Sequence, residues 1–201
     1  MGLSVYSLAD FYTKKQDEAI KEINRVLEIE SLNLYVNSLK SLASSVEFPA
    51  IEWMYSTADS LDVFIAQLIK DEKWIPPVDK IEDKCSISLS SYKAVLESSN
   101  SHALGFPTAF GYYIPMELNS PILHRGPIIG SSVILEKELQ KFIYRLGLEL
   151  PNVSVVTEDL RVKHDEILRL ELFGEEKVAL LQLYQMALYS VYYSSPIIFL
   201  G

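Results

Sequence analysis

The first third of the chain alternates apolar and polar residues with a helical period. Apolar side chains follow one another at intervals of three and four residues in three successive stretches, residues 7–29, 31–46 and 50–68. The Trp-Ile-Pro-Pro sequence at 74–77 ends the third stretch, because proline lacks an amide donor and restricts the residue before it. This pattern predicts a helical hairpin or bundle layer over residues 7–73.

Helical spacing returns in the last third of the chain. Residues 131–146 form an amphipathic pattern, with Gly147 placed as a C-terminal stop. Residues 157–172 fit a helix, although their last positions also fit a strand. Residues 175–195 carry no charge after position 177, which is typical of a helix buried on all sides. The C-terminal part, residues 131–195, is therefore expected to be mainly helical.

The segment between these two helical parts has a different composition. Residues 98–130 hold only two charged side chains, but four of the eight glycines and four of the nine prolines. That many prolines prevent any long regular element, while residues 85–89 and 108–114 fit two short strands. We therefore expect a helix-rich α+β fold, with an N-terminal helical layer, a small β-sheet and a buried C-terminal helix. All of it is predicted to form a single globular domain, residues 1–201, with the charge-poor segment folded over the core.

Acidic side chains outnumber basic ones, 27 Asp and Glu against 18 Lys and Arg, which gives a net charge of −9. The averaged field of such a chain repels the phosphates of nucleic acids and anionic lipids. The densest basic pair, Lys14 and Lys15, forms no stripe that would reverse this. The charge therefore argues against a nucleic-acid partner and fits a basic protein partner, as in antitoxin-like or immunity-like inhibitors. A small anionic molecule is the alternative partner, and it would need a local site that attracts anions.

Cysteine content and hydropathy indicate the compartment. A single cysteine, Cys85, allows no internal disulfide and no CxxC-type metal site. The first residues lack the basic and apolar regions of a signal peptide, so we expect a cytoplasmic protein. Residues 178–201 carry no charge, which raises the alternative of a membrane anchor. Polar residues interrupt that run and no basic cluster flanks it, so a buried helix is the preferred interpretation and no membrane partner is expected.

The most distinctive stretch reads PILHRGPIIGSS and covers residues 121–132, immediately before the helix predicted from residue 131. A helix N-terminus has unpaired backbone amides and favours anions. Gly130 would let a ligand approach the backbone, and the hydroxyls of Ser131 and Ser132 are placed to donate hydrogen bonds. The alternative is structural, because serine is a preferred N-cap on any helix.

His124 and Arg125 complete this candidate site. Arg125 suits a bidentate clamp on a carboxylate or phosphate, and His124 is the one candidate acid or base. Nucleophilic catalysis would need Cys85 or Ser131 beside a histidine, but no nucleophile-elbow motif is present. Three histidines without a metal-binding spacing predict no metal site, and no cofactor motif is found.

Tyr112 and Tyr113 lie in the charge-poor segment, and tyrosine suits pocket walls and protein interfaces as well as cores. We predict a non-catalytic cytoplasmic binding or interaction protein, with either a small-molecule pocket or a protein partner. The alternative is an enzyme acting on a small anionic substrate, with His124 as acid or base and with Arg125 and the helix start at Ser131 as the anion site.

Overall fold

The computed structural model places secondary structure along most of the chain. The residues that it describes are 2–10, 13–36, 50–76, 87–105, 111–123, 126–151, 164–169 and 172–200. Five strands form within them: β1 (Gly2–Ser7), β2 (Ile51–Met54), β3 (Gly111–Ile114), β4 (Ile128–Ser131) and β5 (Ile197–Leu200). A 3-10 turn (Leu8–Asp10) follows β1, and the α-helices are α1 (Thr13–Ile29), α2 (Tyr55–Lys70), α3 (Leu89–Ser98), α4 (Ser132–Arg145), α5 (described over 164–169) and α6 (Gly174–Tyr193).

The five strands form one mixed sheet in the order β2-β1-β5-β3-β4. β1 pairs antiparallel with both β2 and β5, β5 pairs antiparallel with β3, and β3 pairs parallel with β4. The two ends of the described chain therefore meet in the centre of the sheet, where Val5 lies opposite Phe199. The α+β class expected from the sequence is confirmed, with helices predominating over a small sheet.

The sheet separates two hydrophobic clusters. Because successive strand residues point to opposite faces, Tyr113 and Phe199 join the cluster formed with α2, α4 and α6, while Tyr112 and Ile198 join the cluster formed with α1. The helices thus pack on both sides of the sheet. The short strand expected within residues 108–114 is confirmed over its described part, as β3. The charge-poor segment as a whole was expected to lie over a helical core, whereas β3 and β4 are strands of the sheet between the two clusters.

The N-terminal helical layer was partly wrong. Residues 51–54, expected to begin the third helix, form β2 instead. Ile51 and Trp53 suit a strand as well as a helix, and the pairing with β1 decides between them, because it buries both side chains. Residues 31–36, expected to begin the second helix, are not helical, and the rest of that predicted helix lies outside the described residues.

The strand expected at residues 85–89 was also wrong where the structure describes it. Leu89 begins α3, and Ser88 is its N-cap, with the Ser88 hydroxyl accepting the amide of Ser91 at 3.2 Å. A local cap therefore outweighs the apolar alternation that favoured a strand. Cys85 itself lies outside the described residues.

The C-terminal helices match their predictions closely. α4 ends at Arg145, and Gly147 adopts a left-handed φ of 68°, as expected of a C-terminal stop. α6 is buried along most of its length, and Pro196 follows its end. Among the described helices none has the length and apolar character needed to cross a bilayer. The extension of a single domain over residues 1–201 stays a prediction.

Candidate functional site

The predicted anion site lies where β4 ends and α4 begins, and two of its hydroxyls are buried there. Ser131 is the N-cap of α4: its Oγ accepts the amide of Ile134 at 3.1 Å and donates to the carbonyl of Met116 at 2.5 Å. The hydroxyl of Ser132 accepts a hydrogen bond of 2.7 Å from Ser190 of α6. Both serines are 0% exposed. Their hydroxyls therefore join α4 to its neighbours, which matches the structural alternative.

Gly130 packs against an aromatic ring. It lies opposite Tyr113 in the parallel β3–β4 pair, and a Cβ atom at position 130 would overlap Cε1 of Tyr113. Tyr113 is buried and donates a hydrogen bond of 2.6 Å to the carbonyl of His102. The missing side chain at position 130 therefore makes room for the ring of Tyr113.

We expect Gly130→Ala to lower the free energy of unfolding by about 2 kcal/mol, because the added methyl group overpacks a buried contact within the sheet. Urea denaturation measures the change. The same substitution in a Tyr113→Leu background should cost less, since the ring that it meets is gone. Equal costs in the two backgrounds would show that the ring is not what requires glycine.

His102 is the centre of a buried hydrogen-bond network. Its Nδ1 accepts the amide of Ser131 at 2.9 Å, and its Nε2 lies 3.1 Å from the carbonyl of Leu118, to which it donates. These two contacts require the neutral tautomer with the proton on Nε2. Burial lowers the pKa of His102 to about 4, so the ring stays neutral at physiological pH. His102 therefore orders the β4–α4 junction.

A carboxylate of α4 holds the loop that carries His102. The hydroxyl of Ser101 and the backbone amides of His102 and Ala103 donate to Oε2 of Glu138 at 2.9, 2.9 and 3.1 Å. Burial raises the pKa of Glu138, and these donors act in the opposite direction. The loop and the helix are thereby fixed to each other.

Three of the predicted chemical groups fall outside the described residues. His124, the candidate acid or base, and Arg125, the candidate anion clamp, are two of them, and Cys85 is the third. Within the part of the chain that the structure describes, no three His, Cys, Asp or Glu side chains are grouped so as to hold a metal ion.

Tyr112, also a predicted ligand-binding residue, lies at a surface groove. The groove has a volume of about 270 Å³ and opens between α1 and the sheet. The hydroxyl of Tyr112 donates to the Glu22 carboxylate at 2.8 Å, while its ring is buried in the cluster below α1. The other described side chains around the groove are those of Lys15, Glu18, Ala19, Ile198 and Leu200. Helical spacing brings Glu18 and Glu22 together, but the sequence did not reveal which strands lie beneath them.

A second cleft, of about 550 Å³, lies between α2, α4 and the segment after α3. Arg145 of α4 donates across its end to the carbonyls of Leu68 and Glu72 at 2.8 and 3.1 Å. Glu138 and Lys141 also line it, so its walls carry both signs of charge. This cleft is therefore not a uniformly acidic surface.

One further carboxylate is buried. Asp62 of α2 is 5% exposed, accepts the amide of Gly105 at 3.0 Å and accepts a hydrogen bond from the hydroxyl of Tyr92 in α3. Burial raises the pKa of Asp62 to about 6, although both hydrogen bonds lower it. No sequence pattern pointed to this site, because an aspartate on an amphipathic helix is ordinarily solvated.

Comparison with known proteins places the chain beside one family. The model of a family described as "Putative DNA-mimic protein" matches residues 1–199. No curated protein and no solved structure matches the chain significantly.

This match corrects the predicted function. Neither a small-molecule pocket nor an enzyme acting on a small anionic substrate agrees with a family of DNA mimics, so both interpretations were wrong. The partner expectation is corrected as well. The sequence favoured a small anionic molecule or a basic protein of unspecified kind, and it set nucleic acid aside. A DNA-mimic family instead implies interaction with DNA-binding proteins. The broader expectation of interaction with proteins is supported by the family, whereas ligand binding and a cytoplasmic location are not.

Proposed function

The chain belongs to this DNA-mimic family, and on that premise we propose that it binds a DNA-binding protein at the surface that DNA would otherwise occupy. The family match over residues 1–199 is the observation that carries the proposal. The protein would act by exclusion, because a partner occupied by the mimic has no free surface for a duplex. No bond is made or broken in such a function.

The charge of the chain supports this proposal. DNA presents a dense row of negative charges, and DNA-binding proteins meet it with Lys and Arg side chains. A chain with a net charge of −9 offers carboxylates for the same cations. Residues 41–69, for example, contain four acidic side chains and no Lys, Arg or His. In the described part of that stretch, Glu52 and Asp59 are exposed.

The acidic charge of the chain is therefore compatible with a function that involves DNA-binding proteins. Repulsion between this chain and DNA was a reason to set nucleic acid aside, but a mimic has the charge of DNA and does not bind it. What the two share is the protein surface that attracts both. Electrostatic attraction of this kind accelerates association and is screened by salt.

We expect the protein to displace a fluorescent DNA duplex from at least one purified DNA-binding protein of the organism that encodes it, as measured by fluorescence anisotropy. Displacement should be competitive, and raising the salt from about 50 to about 200 mM should weaken binding of the mimic to that partner roughly tenfold. Polyglutamate of matched net charge is the control, because it has the charge without the fold. If no member of a broad panel releases its duplex, or if polyglutamate acts equally well, the proposal fails.

A further inference from the structure

The groove below α1 combines carboxylates at its rim with an apolar floor. Glu18 and Glu22 are four residues apart on one helix, so their side chains lie on the same face. Ala19, between them in sequence, is small and also lines the groove. The carboxylates therefore stand at the rim, above an opening of about 270 Å³.

The floor of the groove is the face of the sheet that α1 covers incompletely. Ile198 of β5 is buried at the base of the groove, and Leu200 of β5 supplies an apolar side chain that remains partly exposed. Tyr112 of β3 lies beside them and donates its hydroxyl to Glu22 at 2.8 Å, which orients that carboxylate. A side chain that fits this arrangement has an apolar stem to cover the floor and a cationic end to reach the rim.

Arginine meets these requirements better than lysine. Its guanidinium is planar, donates two parallel hydrogen bonds to a carboxylate and is more weakly hydrated than an ammonium group. DNA-binding proteins use arginine widely in contacts to phosphates and to bases. From the groove, its charge and its floor, and resting on the proposed function, we infer that this groove receives an arginine side chain from the DNA-binding partner, with Glu18 and Glu22 in the place of phosphate oxygens.

Lys15 should affect arginine binding in the opposite direction to Glu18 and Glu22. It lines the same groove and lies three residues before Glu18 on α1, so its ammonium group brings a positive charge to the groove. That charge repels an incoming guanidinium. Removing the charge at position 15 should therefore strengthen binding, whereas removing a charge at position 18 or 22 should weaken it. A general effect of surface charge would not depend on these positions.

The first experiment needs no natural partner. An isotope-labelled sample is titrated with acetyl-Gly-Arg-Gly-amide, and amide chemical shifts report the site. We expect shifts at residues 15–22, at Tyr112 and at 198–200, and none with the neutral isostere in which citrulline replaces arginine. Shifts spread over the whole surface, or equal shifts with citrulline, would overturn the inference. So would groove shifts that follow protein concentration without peptide, because a second copy would then occupy the groove.

Variants that neutralise single charges measure how much each charged side chain contributes to peptide binding. Glu18→Gln and Glu22→Gln should each weaken peptide binding by about two- to fivefold, and Lys15→Gln should strengthen it by a similar factor. Glutamine at position 22 keeps an oxygen that accepts the Tyr112 hydroxyl. Glu97→Gln is the matched control, because Glu97 is exposed on α3, which packs on the other side of the sheet. Equal effects of all four variants would contradict the inference.

The same variants in the duplex-displacement assay separate the two proposals. If the unaltered protein displaces DNA and the Glu18 and Glu22 variants do so as well as the Glu97 variant, the groove is wrong and the DNA-mimic function stands. If the unaltered protein displaces no duplex, the function fails. The peptide titration then decides by itself whether the groove is an arginine site.

Discussion

Replacing His102 with alanine is expected to lower the free energy of unfolding by about 4 kcal/mol at neutral pH. The imidazole is 0% exposed, so its removal leaves a cavity. It also leaves two buried backbone groups, the amide of Ser131 and the carbonyl of Leu118, without the partners that they have in the structure. Urea denaturation followed by circular dichroism measures the loss. His164→Ala is the matched control: that histidine is half-buried on α5, and its removal should cost less than about 1 kcal/mol.

Acid provides a second test of the role of His102. Its folded pKa of about 4 lies below the ordinary value of 6.5, so protons bind the unfolded chain first as the pH falls. The stability that the neutral ring contributes is therefore full above about pH 6.5 and is progressively lost towards pH 4. We expect the difference between wild type and His102→Ala to shrink over that interval. A difference that is independent of pH would mean that the ring acts only by filling space.

Asp62 is expected to respond to acid with the opposite sign. Its folded pKa of about 6 lies above the ordinary value of 3.8, so the ionised carboxylate destabilises the fold at neutral pH. As the pH falls from about 7.5 to about 4, the folded protein takes up the proton first, and wild type should gain about 2 kcal/mol relative to Asp62→Asn. Asparagine suits the comparison, because its carbonyl oxygen still accepts the amide of Gly105 and its amide meets the oxygen of Tyr92. Urea denaturation of both proteins across this pH range gives the difference directly.

Tyr92→Phe sharpens the Asp62 test. The Tyr92 hydroxyl donates to the carboxylate and lowers its pKa, so its loss should move the acid-induced gain in stability to higher pH. A gain that stays at the same pH would show that the hydrogen bond contributes little to the ionised state. A flat difference between wild type and Asp62→Asn would show that Asp62 is solvated.

The expected changes in stability at His102 and Asp62 do not involve the surface proposed to bind the partner. His102 and Asp62 stabilise the fold from within, whereas Glu18, Glu22 and Lys15 lie at a surface groove. Variants of the first kind should change the free energy of unfolding, and variants of the second kind should change binding. A loss of duplex displacement in a groove variant that unfolds at the wild-type urea concentration can then be assigned to the surface.

Net charge illustrates how a correct observation supported a wrong conclusion. The excess of carboxylates is plain in the sequence, and so is its repulsion of phosphates. It does not follow that DNA is irrelevant to the function, because an anionic protein and DNA can compete for the same cationic surface. The net charge of a protein indicates the sign of the charge on its partner, but it does not identify the partner. The family match shows the family, and it is the ground on which DNA-binding proteins are proposed as the partner class.

The sequence by itself determined the α+β class, helices α4 and α6, and the C-terminal stop at Gly147. Each of these follows from local information, since helical periodicity and a left-handed glycine involve neighbours in the chain. It also indicated Ser131 as a possible N-cap, and the structure agrees. For the serines of the candidate site, the structural alternative was the one that matched their contacts.

Only the tertiary structure decided the sheet, the environment of Gly130 and the acidic groove. β1, β2 and β5 are short, and each depends on pairing with a strand distant in sequence, so no local pattern distinguishes them from other apolar stretches. Gly130 is explained by the Tyr113 ring on the neighbouring strand. The groove needs α1, near one end of the chain, placed above β3 from its middle and β5 from its other end. Strand pairing and burial are long-range interactions, and their energy is shared between residues that the sequence keeps far apart.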